Sequence, residues 1–105
     1  MNTPLPPLGI VTDILQMIGL DVTHQYDDLV FVSHNQFILR FTEAATRIDL
    51  YFNENIEEGK ARELMAQMEA MGELHGLVFS YRGAYSLKEN DDETLSVEFF
   101  DLADP

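Results

Sequence analysis

Two segments of the chain carry apolar residues at the three- and four-residue spacing of an amphipathic helix. In the first segment these residues are Ile10, Val11, Ile14, Leu15 and Ile18. In the second they are Ala61, Leu64, Met65, Met68 and Met71. Gly19 and Gly76 follow the two segments and suit the left-handed end of a helix. The spacing therefore predicts helices at about residues 7–18 and 55–74.

The rest of the chain changes to the two-residue period of strands that are apolar on one face. Alternating runs occupy residues 29–33, 37–42, 48–52, 77–87 and 95–100. Residues 21–26 either extend the first run or form a short extra strand, with a bend at 27–28. The pattern predicts an α+β fold in the order α-β-β-β-α-β-β. Its antiparallel sheet has about five strands, and two helices cover one face.

Local residue types predict how some of these strands are joined or bent. His34 and Asn35 fit a two-residue turn between the first two alternating runs. The polar, acidic residues 89–93 fit a hairpin turn before the last run. Gly83 interrupts a strand pattern, which indicates a bulge or a bend.

The sheet carries apolar residues on the side that the helices are not expected to cover. Opposite the residues assigned to the core lie Val30, Val32, Ile38, Tyr51, Val78 and Phe100. Met65 and Met68 on the second helix either fill the core or form an adaptable apolar groove. Exposed apolar faces mark association sites. These eight residues are therefore the predicted partner or dimer face, to be covered by a second copy in a homodimer or by a client peptide.

The length and the residue types bound the class of protein. The 105 residues fit a single domain over 1–105, with an extended leader at 1–6 and a frayed tail at 101–105. The chain has no cysteine, which excludes disulfides and thiolate chemistry. The first residues lack the positive start of a signal peptide, and no apolar run is long enough to cross a membrane. We therefore expect a cytoplasmic protein.

Charge narrows the range of partners. The chain has 19 acidic and 6 basic residues, for a formal net charge of −13. Such a protein repels phosphate backbones and anionic membranes, so we expect neither nucleic acid nor membrane as a partner. The excess either keeps the protein in solution or presents an acidic face to a basic partner. An acidic decoy that occupies the nucleic-acid site of a basic protein is one form of the second alternative.

No catalytic, cofactor or metal site is predicted from motifs. His24, His34 and His75 do not have the spacing that presents a metal pair. The six glycines are isolated, which leaves no phosphate-binding loop. A site assembled from distant strand residues stays open as an alternative, for a small-molecule-binding domain or an enzyme. Its candidate lining residues are Arg40, Arg47, Tyr51, Arg82 and Tyr85.

The order of elements resembles that of type III secretion chaperones. The resemblance rests on the opening helix with residues 14–20 (Ile-Leu-Gln-Met-Ile-Gly-Leu), three strands, a helix, and two strands ending in residues 95–99 (Leu-Ser-Val-Glu-Phe). Acidity adds to it. Proteins of that family are small, acidic, cytoplasmic dimers that bind unfolded segments of secreted proteins. Together with the lack of catalytic, cofactor and metal motifs, the resemblance favours a non-enzymatic, chaperone-like protein-binding module that acts as a homodimer.

Overall fold

The fold of residues 7–101 is described by a computed structural model. Along the chain lie α1 (Leu8–Met17), β1 (Val22–Tyr26), β2 (Leu29–Val32), a short 3-10 turn (Ser33–Asn35), β3 (Phe37–Phe41), β4 (Arg47–Asn53), α2 (Glu58–His75), β5 (Val78–Glu89) and β6 (Leu95–Asp101). The leader predicted at 1–6 and the tail residues after Asp101 lie outside the described residues. Neither of the helices within 7–101 is long and apolar enough to span a lipid bilayer.

Both predicted helices are confirmed, and each buries the stripe that predicted it. Val11, Ile14 and Leu15 of α1 are fully buried against the sheet. On α2 the buried positions include Leu64 and Met68, while the acidic residues face outward. The helix ends at Gly76, whose φ of 74° is a backbone conformation that glycine adopts without strain.

The strands form one six-stranded sheet in the order β1-β2-β3-β4-β5-β6. The predicted α+β class with two helices is confirmed, but the prediction of an entirely antiparallel sheet is wrong, because β4 and β5 run parallel. Residues 22–26 form the short extra strand, one of the two alternatives predicted for them, so the sheet has six strands rather than about five. The parallel pair follows from α2, because the helix carries the chain back along the sheet before β5 begins. The other neighbouring strands are antiparallel.

The main core lies between the helices and one face of the sheet. Its strand residues include Val30, Val32, Phe37, Leu39, Phe41, Ile48, Leu50, Phe52 and Phe79. The assignment of Val30 and Val32 to the opposite face was therefore wrong. Val30 pairs with Leu39 across β2 and β3, and paired residues of antiparallel strands share a face. The predicted turn is itself observed, with positive φ at both His34 and Asn35.

A second, smaller cluster covers the centre of the other sheet face. Ile38, Tyr51 and Tyr85 are buried there, although no helix lies on this side within the described residues. Their cover comes from the sheet itself, which curls. Across Gly83, which has no side chain, the rings of Tyr51 on β4 and Phe99 on β6 approach to 4.7 Å between centroids. Residues of β1 and β2 at one end of the sheet order line a common cleft with residues of β5 and β6 at the other end, which a flat sheet would hold well apart.

Candidate functional site

The curled sheet encloses a cleft of about 700 Å³ on the face opposite the helices. The cleft is lined by residues of β1, β2, β5 and β6 and of the β2–β3 turn. They are Thr23, His24, Tyr26, Leu29, Phe31, Asn35, Leu87, Leu95, Val97 and Phe99. We call this feature the concave cleft. Six of its ten lining residues are aliphatic or phenylalanine, so its surface is mainly apolar.

Strand alternation explains which residues line the concave cleft. Leu29 and Phe31 alternate along β2 with the core residue Val30, so they point to the opposite face. Val97 and Phe99 follow the same rule on β6. These four side chains are only partly buried, whereas the residues beneath them are almost completely inaccessible. The cleft therefore has a packed floor and open walls.

One wall of the cleft is a hairpin that extends beyond the rest of the sheet. The last paired residue of β4 is Asn53, opposite Tyr85, yet β5 continues to Glu89. The residues after Tyr85 pair only with β6. This end of the hairpin has no β4 neighbour, and its residues Leu87 and Leu95 line the cleft.

Arg40 secures β6 at one end of the floor. Its guanidinium carbon lies 4.7 Å from the ring centroid of Phe99 and 5.6 Å from that of Tyr51. Both distances fall within the range of a cation–π interaction. The Arg40 Nε also lies 3.8 Å from an Asp28 carboxylate oxygen. The guanidinium of Arg40 thus lies between the Tyr51 and Phe99 rings and close to the Asp28 carboxylate. Through these rings Arg40 connects β3 with β4 and β6.

A hydrogen-bonded node secures the other end of the floor. The Tyr85 hydroxyl donates to the Asn35 carbonyl over 2.8 Å, and the Asn53 side-chain amide donates to the same oxygen over 2.9 Å. The Asn35 carbonyl lies in the β2–β3 turn. This node ties β5 to that turn across β3 and β4, and it fixes the spacing between the two walls.

The buried tyrosines Tyr85 and Tyr51 make the stability of the folded protein depend on pH in the alkaline range. Burial raises the pKa of Tyr85, with a smaller opposing effect from the Asn53 hydrogen bond. The pKa of Tyr51 is also raised, first by burial and then by Asp101. An unfolded chain ionises its tyrosines near a pH of about 10. The contribution of these phenols to stability is therefore complete below that pH and is lost as the pH rises further.

We expect Tyr85→Phe to reduce this alkaline loss. At neutral pH the variant loses about 1 kcal/mol, because the hydrogen bond to the Asn35 carbonyl is missing. Above a pH of about 10 its stability declines less steeply than that of the wild type, because one buried phenol no longer titrates. Urea unfolding at neutral and alkaline pH measures both effects. Equal declines for the two proteins would contradict the role assigned to Tyr85.

Arginines and carboxylates meet in a separate, shallow depression of about 390 Å³. It is lined by Thr42, Glu43, Ala44, Arg47, Asp49 and Arg82. Of the five residues in the predicted distributed site, Arg47 and Arg82 line this depression. Tyr51 and Tyr85 instead belong to the buried cluster beneath the walls of the concave cleft, and Arg40 lies against the rings of Tyr51 and Phe99. The structure therefore divides the predicted set between two places.

The predicted partner face is divided as well. Val30, Val32 and Met68 are buried in the main core, and Met65 packs against it. Ile38 and Tyr51 do lie together, as part of the cleft floor. Val78 and Phe100 are exposed, at 58% and 46%, and neither lines the cleft. The assignment of Phe100 to the face opposite the core was wrong, because Phe100 pairs with Ala84, which in turn pairs with the core residue Phe52. The cleft walls formed by Leu29, Phe31, Leu87, Val97 and Phe99 were missed.

The acidic side chains within residues 7–101 do not gather into a metal-binding site. Across residues 7–101 no group of three or more His, Asp or Glu side chains could hold a metal ion. In the β5–β6 turn the Asp92 carboxylate accepts hydrogen bonds from the Thr94 hydroxyl and backbone N–H, and these bonds lower the pKa of Asp92. That carboxylate therefore closes its own turn, within the hairpin predicted for residues 89–93.

The concave cleft is better suited to binding than to acid–base chemistry. Proton transfer needs an acid and a base placed around the reacting atom. Among the ten lining residues His24 supplies an imidazole, which meets the edge of the Phe31 ring, and none supplies a carboxylate. The apolar walls instead offer surface from which a ligand can displace water.

No protein family, no curated protein and no solved structure matches this chain. The resemblance to type III secretion chaperones thus stays an expectation from the order of elements, and the function is inferred from the cleft.

Proposed function

We propose that the protein is a non-enzymatic binding module whose concave cleft holds an apolar segment of a partner protein. One observation carries this proposal. The cleft combines a buried apolar floor with apolar walls that are still accessible, including Leu95 at 61% exposure. A concave, mainly apolar surface that is still accessible is typical of a binding site, because a ligand that covers it removes apolar groups from water.

The construction of the cleft supports a preformed site. The node at Tyr85 and the stack at Arg40 hold the two walls from both ends of the floor. A site that is already ordered loses less conformational entropy when its ligand binds. A preformed cleft supports a chaperone-like or scaffolding role, in which the module holds a segment without changing it chemically.

A small apolar molecule is the second candidate occupant. Small-molecule sites have volumes of about 300–1,000 Å³, and their lining is mainly apolar with a few polar groups. The cleft, at about 700 Å³, falls in this range, and Thr23, His24 and Asn35 are its polar groups. This alternative retains the site and changes only the ligand.

An environment-sensitive apolar dye tests whether the cleft binds at all. We expect the dye to fluoresce on the folded wild-type protein, and we expect apolar peptides to displace it. Phe31→Ser is expected to weaken dye binding at least tenfold, because about 1.5–3 kcal/mol of apolar burial is removed from the wall. Dye binding that is unaffected by Phe31→Ser would place the site elsewhere and contradict the proposal.

The homodimer predicted from the sequence is a separate question. Its main reason was an apolar sheet face without a cover, and the curl now buries Ile38, Tyr51 and Tyr85 without a second chain. The homodimer stays a prediction. Light scattering tests it, because a monomer has a mass of 12.0 kDa and a dimer twice that value.

A further inference from the structure

We infer that the occupant of the concave cleft is an extended, basic segment of another protein, bound as an added strand between β1 and β6. This inference rests on the proposed function and specifies the partner. It follows from the position of the cleft relative to the sheet edges, from the lack of protection on one edge, and from the charge around it.

The cleft lies in the gap between the two edges of the sheet. Among residues 7–101, β1 and β6 are the first and last strands in the sheet order, so each has one side without a neighbouring strand from this part of the chain. Their residues nevertheless line the same cleft, with Thr23 and His24 from one edge and Val97 and Phe99 from the other. A strand placed in this gap would meet unpaired backbone groups on both sides.

β6 has few of the features that keep an edge strand from pairing. Proteins protect such edges with charged side chains, above all lysine, and with proline, bulges or short strands. β6 has seven residues, contains neither proline nor lysine, and pairs with β5 without a bulge. Its charged residues are Glu98 and Asp101, which repel an acidic segment and attract a basic one. β1 differs, because its register shifts between Val22 and His24. β6 therefore offers the longer template, which spans about 23 Å at 3.3 Å per residue.

The charge around the gap favours a basic segment. None of the six lysines and arginines lines the cleft, and the nearby Arg40 is already next to Asp28. Acidic residues flank the cleft at both hairpin turns, with Asp27 and Asp28 after β1 and residues 91–93 before β6. A second copy of this chain would bring its own charge of −13 against this region, so a basic partner is favoured over self-pairing.

Strand alternation gives the partner segment a pattern. Glu98 lies between Val97 and Phe99 on β6, so it points away from the cleft. In an added strand, every second side chain would enter the apolar cleft and the others would lie on the side of Glu98. The matching segment therefore alternates apolar and basic residues, and its basic residues pair with Glu98 across the strands.

The test uses a labelled heptapeptide of alternating lysine and valine, blocked at both ends and titrated by fluorescence anisotropy. Two further versions carry N-methyl groups on alternate residues, one on the odd and one on the even positions. Each set removes the donors on one side of the strand. We expect both versions to bind at least tenfold more weakly, because the added strand bonds to both edges. A version with glutamate in place of lysine should not bind.

Glu98→Gln tests the cross-strand charge, with Glu63→Gln on the exposed face of α2 as the matched control. We expect Glu98→Gln to weaken binding of the lysine–valine peptide by about two- to fivefold, which corresponds to the energy of one cross-strand pair. Glu63→Gln should have no effect. Equal affinities for all three proteins would contradict the proposed position of the basic side chains.

The outcomes separate this inference from the proposed function. If N-methylated and unmodified peptides bind equally well and displace the dye, the cleft binds apolar segments but no strand is added, and the inference fails alone. If only one N-methylated version is weakened, the segment pairs with a single edge and insertion between two edges is wrong. If small apolar molecules displace the dye and no peptide does, the inference is wrong and the second candidate function holds. If dye binding itself is absent, the proposed function fails.

Discussion

Gly83→Ala is expected to destabilise the protein by about 3 kcal/mol and to lower its melting temperature by roughly 10–20 °C. Gly83 has a φ of 154°, which side chains rarely allow, and a Cβ added there would lie 2.0 Å from the carbonyl oxygen of Phe100. β5 and β6 pair directly at this point, where Gly83 faces Asp101. The added methyl group therefore forces the two strands apart.

Gly83→Ala should impair binding in the cleft as well as the stability of the fold. β6 carries Val97 and Phe99, and the ring of Phe99 lies over Arg40. When β6 moves away, we expect dye and peptide binding to fall before the rest of the protein unfolds. Thermal unfolding by circular dichroism, read together with dye fluorescence, measures both effects.

Gly59→Ala is the matched control. Gly59 lies in the first turn of α2, and a Cβ there meets only the Glu57 carboxylate at an ordinary 3.6 Å. Alanine favours a helix over glycine by up to about 1 kcal/mol. We expect this variant to be slightly stabilised and to bind normally. A Gly83→Ala protein as stable as wild type would show that β5 and β6 do not approach each other as described.

Val97→Asp is expected to weaken binding in the concave cleft on the order of 100-fold while leaving the fold intact. Val97 is partly buried in the cleft wall, so a bound apolar segment would cover it. A carboxylate covered without a partner loses its hydration, at a cost of about 3 kcal/mol. In the free protein the same carboxylate stays in contact with water, so the effect on folding is small.

Val78→Asp provides the control with the same chemistry at another site. Val78 begins β5, is 58% exposed, and does not line the cleft. We expect it to bind the apolar dye and the lysine–valine peptide with wild-type affinity. Titrations of both variants decide the matter. Equal losses at the two positions would show a general effect of negative charge, and no loss at Val97 would remove the cleft as the site.

Periodicity predicted both helices and five of the six strands, and it left residues 22–26 undecided. Both helices lie where the apolar residues repeat at helical spacing, and each alternating run became a strand. The bulge indicated by Gly83 is also observed, because the partner of β4 moves from Tyr81 to Gly83 between consecutive residues. These features depend on residues near one another in the sequence, where spacing and residue type carry the physical signal.

Strand direction and face assignment depended on longer connections. Alternation alone does not distinguish a parallel from an antiparallel neighbour, and α2 between β4 and β5 was the signal for a parallel pair. The predicted turn at His34 and Asn35 was enough to place Val30 and Val32 on the core face of the sheet. That turn fixes the register with β3 and sets Val30 beside Leu39, inside the core.

The cleft could not be predicted from the sequence, because it arises from the curvature of the sheet. Alternation shows that Phe31 and Phe99 can each face away from a helix, but it does not bring β2 and β6 together. Their approach depends on sheet twist, on the irregularity at Gly83 and on a hydroxyl–carbonyl bond between Tyr85 and Asn35, which are 50 residues apart. Ile38 and Tyr51 do lie on the second sheet face, and curvature places them beneath the walls of the candidate cleft.

Backbone amide shifts in an isotope-labelled sample, titrated with the lysine–valine heptapeptide, test the central claim most directly. We expect the largest changes at the cleft walls, at Phe31, Leu87, Val97 and Phe99, and little change on α1 and α2. The changes should saturate with the affinity measured by anisotropy. Saturating changes confined to the helices, or to the depression at Arg47 and Arg82, would contradict binding in the concave cleft.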